Sequence, residues 1–108
     1  MTIELQKLIE ESRVQMIGPI RQELLSGIVS TKQCKELSEH LLAFEDLSIK
    51  TEDYILAAEY FNRCRSKGVQ GSFTDFLICS LATQHQLSIF TNDKAFISYS
   101  KWLPIQLF

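Results

Sequence analysis

Gly71-Ser72-Phe73-Thr74-Asp75-Phe76-Leu77-Ile78-Cys79-Ser80-Leu81-Ala82, continued by Leu87-Ser88-Ile89-Phe90-Thr91-Asn92-Asp93, is the stretch whose reading decides the fold. It reads as loop, helix, strand and loop, with one acid at the start of the helix and another just past the strand. In an α/β unit the helix runs antiparallel to the strand that follows it. The helix start and the strand end then share one edge of the sheet, where open α/β sheets place their sites. Asp75 and Asp93 can meet at that edge, and the same logic can bring Glu23 there. Three carboxylates converging on one edge imply a hard divalent cation, and carboxylates with waters suit Mg²⁺ or Mn²⁺.

The rest of the chain alternates in the same way. Ile3, Leu5, Leu8 and Ile9 repeat at helical spacing between Glu4, Lys7, Glu10 and Glu11, which predicts a short amphipathic helix. Val14–Ile17 has the length of a buried strand, and Gly18-Pro19 ends it. Pro19 suits a first helical turn, and that helix stops near Gly27. Thr31 is expected to cap a helix to about Ala43 with Cys34, Leu37, Leu41 and Leu42 inward. A weak strand follows over Phe44–Ile49. Thr51 then caps a helix ending at Gly68, with Ile55, Ala58, Phe61 and Asn62 along one side. Ser72 starts the next helix, and Leu87–Phe90 is the clearest strand. Lys94–Ser100 is a short helical turn, and Pro104–Leu107 a last edge strand. Such alternation predicts one α/β domain over residues 1–108, with a mostly parallel sheet flanked by helices.

Composition narrows the function classes. The 108 residues carry a net charge of -2 and are 45% hydrophobic, which fits one small globular domain. An acidic total argues against non-specific coating of nucleic acid but not against a nuclease, whose site is itself acidic. No apolar run is long enough for a membrane span, and Met1–Leu5 lacks the layout of a signal peptide, so a cytoplasmic protein is expected. Cys34, Cys64 and Cys79 have no zinc spacing, and Cys79 falls in an apolar helical run. His40 and His85 have no metal or general-base partner spacing. Trp102 and Phe108 read as core or dimer contacts.

Each acid also has a bland reading. Ser72-x-x-Asp75 resembles a capping box, with Asp in place of Glu or Gln. Asn92 or Asp93 can cap the following turn. Glu23, in a first helical turn, is favoured there by the helix dipole. These readings do not predict that the three acids share an edge. Like charges held close raise one another's pKa, and a cation relieves the repulsion.

Four pieces together resemble a PIN-domain ribonuclease, in particular the VapC-like toxins of type II toxin–antitoxin systems. The first is Val14–Ile20 leading into Arg21-Gln22-Glu23-Leu24-Leu25-Ser26-Gly27. The second is Ala57-Ala58-Glu59-Tyr60-Phe61-Asn62-Arg63-Cys64-Arg65-Ser66-Lys67-Gly68. The third is Thr74-Asp75-Phe76-Leu77-Ile78-Cys79-Ser80-Leu81-Ala82, similar to the family's D-x-x-I-x-x-x-A. The fourth is Ile89-Phe90-Thr91-Asn92-Asp93-Lys94-Ala95-Phe96, similar to T-x-D-x-x-F. The resemblance implies a Rossmann-like sheet and a metal site of Glu23, Asp75 and Asp93. It also implies that Thr91 orients a carboxylate or water, although Thr91 serves equally to start a turn. RNA is the implied substrate and an antitoxin protein the implied partner.

The family's opening strand, with its terminal aspartate, has no counterpart before Val14. Met1–Ser12 resembles the helix that follows that strand, and Glu4, Glu10 and Glu11 read as a solvated helix face. A sheet without its first central strand is expected to leave unpaired edges that recruit a second copy, as a homodimer with exchanged elements. Three functions follow from the sequence. One is a metal-dependent endoribonuclease toxin. The second is a catalytically impaired PIN-like module that dimerises or binds an antitoxin. The third is a plain α/β interaction domain whose acids are caps. Arg63, Arg65 and Lys67 are available to RNA phosphates, or simply end a helix in solvent.

Overall fold

A computed structural model describes residues 15–108, which fall in two compact units, Met1–Ser48 and Ile49–Phe108. The predicted helix over Ile3–Glu11 and residue Val14 of the predicted strand lie outside the described residues.

In the first unit α1 (Gly18–Ser26) and α2 (Thr31–Leu41) follow an extended segment. Pro19 sits in the first turn of α1, and Gly27 closes it, as expected. Because α1 begins at Gly18, Glu23 lies one turn past the helix start. The first turn of α1 contains no acid, which corrects the helix-dipole reading of Glu23. Ser30, rather than Thr31, caps α2, its hydroxyl accepting the Gln33 N–H at 3.3 Å. Leu41 is buried but Leu42 is 73% exposed, so the inward face predicted for Leu42 is corrected. The strand predicted over Phe44–Ile49 reduces to a single parallel bridge between Met16 and Asp46. Arg21 ties these parts together. Its guanidinium donates to Asp46 Oδ1 at 2.9 Å, to the Leu41 carbonyl at 3.0 Å and to the Phe44 carbonyl. One planar fork thus satisfies a carboxylate and two carbonyls released beyond the end of α2.

The second unit contains α3 (Thr51–Ser66), α4 (Phe73–Gln84), β1 (Ser88–Ile89), α5 (Ala95–Ser100) and β2 (Gln106–Leu107). Its two strands pair parallel, Ser88 opposite Gln106 and Ile89 opposite Leu107, as a strand–helix–strand unit allows. They are shorter than the predicted Leu87–Phe90 and Pro104–Leu107. Lys50, not Thr51, is the N-cap of α3, and Asp53 in the first turn accepts the Lys50 N–H at 2.9 Å. Gly68 ends the α3 segment with φ +76°, a left-handed conformation that glycine adopts without strain.

The buried face of α3 differs from the one predicted. Ile55 is 57% exposed and Ala58 and Asn62 are also exposed, whereas Asp53, Tyr60 and Cys64 are buried. The polar members of that face are hydrogen-bonded. The Asp53 carbonyl accepts Ser80 Oγ at 2.6 Å, and Tyr60 Oη lies 2.9 Å from Thr83 Oγ1. Satisfied polar groups can enter a core, and of the predicted side only Phe61 packs against it. Tyr60, Cys64, Phe76, Cys79, Ala82, Ile89, Phe96, Tyr99 and Leu103 form one core cluster. Cys64 and Cys79 are buried free thiols, and Cys34 is half-buried and free.

Trp102 and Phe108 are 40% and 64% exposed, which removes the core half of the core-or-dimer expectation. Phe108 lies against Phe90, with ring centroids 5.4 Å apart. The cations at the end of α3 are held on rings: Arg63 over Tyr60, Arg65 over Phe61 and Lys67 over Trp102, at 5.4, 5.4 and 5.1 Å. They also sit where cations favour the helix dipole. No helix of the described residues is long and apolar enough to cross a membrane.

Candidate active site

Asp75 stands in the first turn of α4. Ser72 Oγ accepts the Asp75 N–H at 3.0 Å, so the serine caps the helix as predicted. A full capping box would also return the Asp75 carboxylate to the Ser72 N–H. That carboxylate instead accepts a hydrogen bond from Tyr99 Oη, 2.7 Å to Oδ2. Half of the bland reading holds, and the charged half of Asp75 is engaged elsewhere.

Tyr99 is 1% exposed. Its ring packs against Phe76 at 4.9 Å and edge-on against Phe96 at 5.2 Å. Gly71 leaves the room for it: a Cβ at that position would fall 2.7 Å from Tyr99 Cζ and 2.9 Å from Phe76 Cε2. The glycine that opens the deciding stretch is therefore required by close approach.

Asp93 follows the carboxyl end of β1 and is exposed. Thr91 Oγ1 accepts the Asp93 N–H at 3.0 Å, and Asp93 Oδ1 accepts the Ala95 N–H at 2.9 Å. Thr91 and Asp93 thus shape the turn into α5. Asp93 keeps Oδ2, and Asp75 keeps Oδ1, without a hydrogen-bond donor among the described residues.

Of the two carboxylates Asp75 acts on the Tyr99 hydroxyl directly, through the hydrogen bond, and the charge of Asp93 is the smallest of the influences on it. The Tyr99 pKa is raised first by burial, then by its hydrogen bond to Asp75, and further by the charges of Asp75 and Asp93. Cys79, one helical turn beyond Asp75, is pushed up to about 12 by burial, with Asp75 and Cys64 adding to the rise. A thiol held protonated in this way is neither a nucleophile nor a metal ligand at neutral pH.

Glu23 lies exposed on α1 in the first unit. Among the described residues no group of three or more His, Cys, Asp or Glu forms a metal cluster. The donor chemistry of Asp75 and Asp93 is that of a hard cation's ligands. Each has one oxygen fixed by a protein donor and one oxygen left over. A small divalent cation that keeps most of its water shell needs only one or two such carboxylates.

Two residues of this region were not legible beforehand. Tyr99 looks like a core aromatic spaced from Phe96 along α5, and nothing in the sequence links it to an acid 24 positions away. Asp53 carried a weak signal, an acid in a first helical turn, but its burial did not.

A family model described as PIN domain matches residues 2–101. No curated protein matches the chain.

Proposed function

The chain belongs to the PIN-domain family, whose members are generally metal-dependent nucleases of α/β fold, and from that premise we propose that it is a metal-dependent endoribonuclease. The observation that carries the proposal is the pair Asp75 and Asp93. Asp75 accepts from Tyr99 and Asp93 from the Ala95 N–H, and each presents one carboxylate oxygen free of a donor among the described residues. In this reading the free oxygens of Asp75 and Asp93 hold Mg²⁺ or Mn²⁺. Such a cation lowers the pKa of a bound water and stabilises charge on a phosphate.

The protein's own groups do the positioning. Ser72 fixes the backbone of Asp75, and Thr91 fixes that of Asp93. Thr91 acts through Asp93 and is a positioning residue. Arg63, Arg65 and Lys67 form no ion pair with an acid among the described residues, which supports contact with RNA phosphates. A toxin role with a cognate antitoxin, and a homodimer with exchanged elements, complete the proposal.

Mn²⁺-dependent cleavage of a structured RNA is the test, with Asp93→Asn prepared identically. Cleavage that vanishes in the variant supports the nuclease. A specific observation favours a second reading, that of an impaired PIN-like module that dimerises or binds an antitoxin. Among the described residues no group of three or more His, Cys, Asp or Glu is placed to hold a metal ion. No cleavage by either protein, with a dimer by light scattering, would favour that module.

A further inference from the structure

We propose that Tyr99 is a positioning residue for the cation site, selecting which oxygen Asp75 offers. The inference rests on the nuclease reading and deepens it.

A carboxylate in a first helical turn has several staggered rotamers and two chemically equal oxygens. For Asp75 the environment removes that equivalence. Tyr99 Oη donates to Oδ2 at 2.7 Å, while no described donor reaches Oδ1. The hydroxyl cannot wander, because its ring is buried between Phe76 and Phe96 at centroid distances of 4.9 and 5.2 Å. Gly71 closes the third side, where even a methyl group would collide with the phenol carbon. On the other side, the Ser72 cap fixes the Asp75 main chain.

Asp75 is thus gripped at its N–H and at Oδ2, and Oδ1 is its one carboxylate oxygen without a donor among the described residues. A phenylalanine would have filled the same pocket without placing a hydroxyl against the acid. The hydroxyl therefore has a use that ring packing does not account for. Metal-ligating carboxylates are commonly hydrogen-bonded in this way, and loss of such a partner typically weakens metal affinity or activity about 10–100-fold.

The test is Mn²⁺ binding, followed by the loss of free-ion electron paramagnetic resonance signal. Full-length wild type, Tyr99→Phe and Asp75→Asn are titrated, with thermal unfolding of each recorded in EDTA. Wild type is expected to bind one Mn²⁺ and Asp75→Asn to lose it. Tyr99→Phe should bind at least about 10-fold more weakly while remaining folded at the titration temperature. Equal or tighter binding by Tyr99→Phe would overturn the positioning role and leave the nuclease reading intact, because a merely structural hydroxyl changes the unfolding temperature without changing affinity. Absence of Asp75-dependent binding in wild type would overturn both. Should Tyr99→Phe not fold, Gly71→Ala provides the second variant. It displaces the tyrosine without deleting it, and unchanged Mn²⁺ affinity there would also refute the inference.

Discussion

Gly71→Ala is the substitution whose sign the structure decides most sharply. At an ordinary backbone conformation, replacing glycine by alanine stabilises by about 0.4–1 kcal/mol, because the unfolded chain loses freedom. Gly71 does not have a positive φ, so no backbone strain opposes that gain. The opposition is steric. The new methyl would lie 2.7 Å from Tyr99 Cζ and 2.9 Å from Phe76 Cε2, and would also meet the Tyr99 hydroxyl. The end of a flexible side chain could swing away, but Tyr99 is 1% exposed and hydrogen-bonded to Asp75. Overpacking of a fixed core costs about 1–3 kcal/mol, which exceeds the entropic gain. The expected net loss is centred on about 1.3 kcal/mol and reaches at most about 2.6 kcal/mol, the central value being roughly 5–10 °C in unfolding temperature for a domain of this size. Urea unfolding followed by circular dichroism reads it. A double-mutant cycle with Tyr99→Ala isolates the cause, since removing the ring should abolish most of the cost. A Gly71→Ala protein more stable than wild type, or a cost unchanged without the ring, would refute the packing argument.

Three further outcomes follow from the same core and from the first unit. Cys79 keeps its proton to about pH 12 in the folded state, against 9 for an exposed thiol. The folded state then holds the proton more tightly, so stability is lost as pH rises from 9 towards 12, by up to about 1.4 kcal/mol per unit. Cys79→Ala should flatten that part of the urea-midpoint profile. Arg21→Ala removes one ion pair and two carbonyl contacts, and should cost about 1–3 kcal/mol in urea unfolding, with Arg21→Lys recovering only part of it. Lys67→Ala should red-shift the fluorescence of Trp102, the single tryptophan, while changing stability by less than about 1 kcal/mol.

Much of the second unit was readable because its signals are local. Ser72 before an apolar run reads as a helix cap, and the predicted order of loop, helix, strand and loop is the order observed. The helical faces were harder. On α3 the apolar residues Ile55 and Ala58 face out while Asp53 and Tyr60 face in, because their polar groups find partners on α4 and at the helix start. Hydrophobic periodicity cannot register a polar residue satisfied from another element. The predicted strands, the clearest one over Leu87–Phe90 included, shrank to pairs and a bridge, since alternation over a few residues fixes the existence of an extended segment better than its length. Tyr99 was invisible as a site residue because its role depends on one long-range hydrogen bond.

The central claim is that Asp75 and Asp93 share a divalent cation. Stoichiometry of Mn²⁺ binding to wild type, Asp75→Asn and Asp93→Asn tests it most directly. One ion bound by wild type and lost in each variant is the predicted result. Undiminished binding in both variants, or none in wild type, would contradict it.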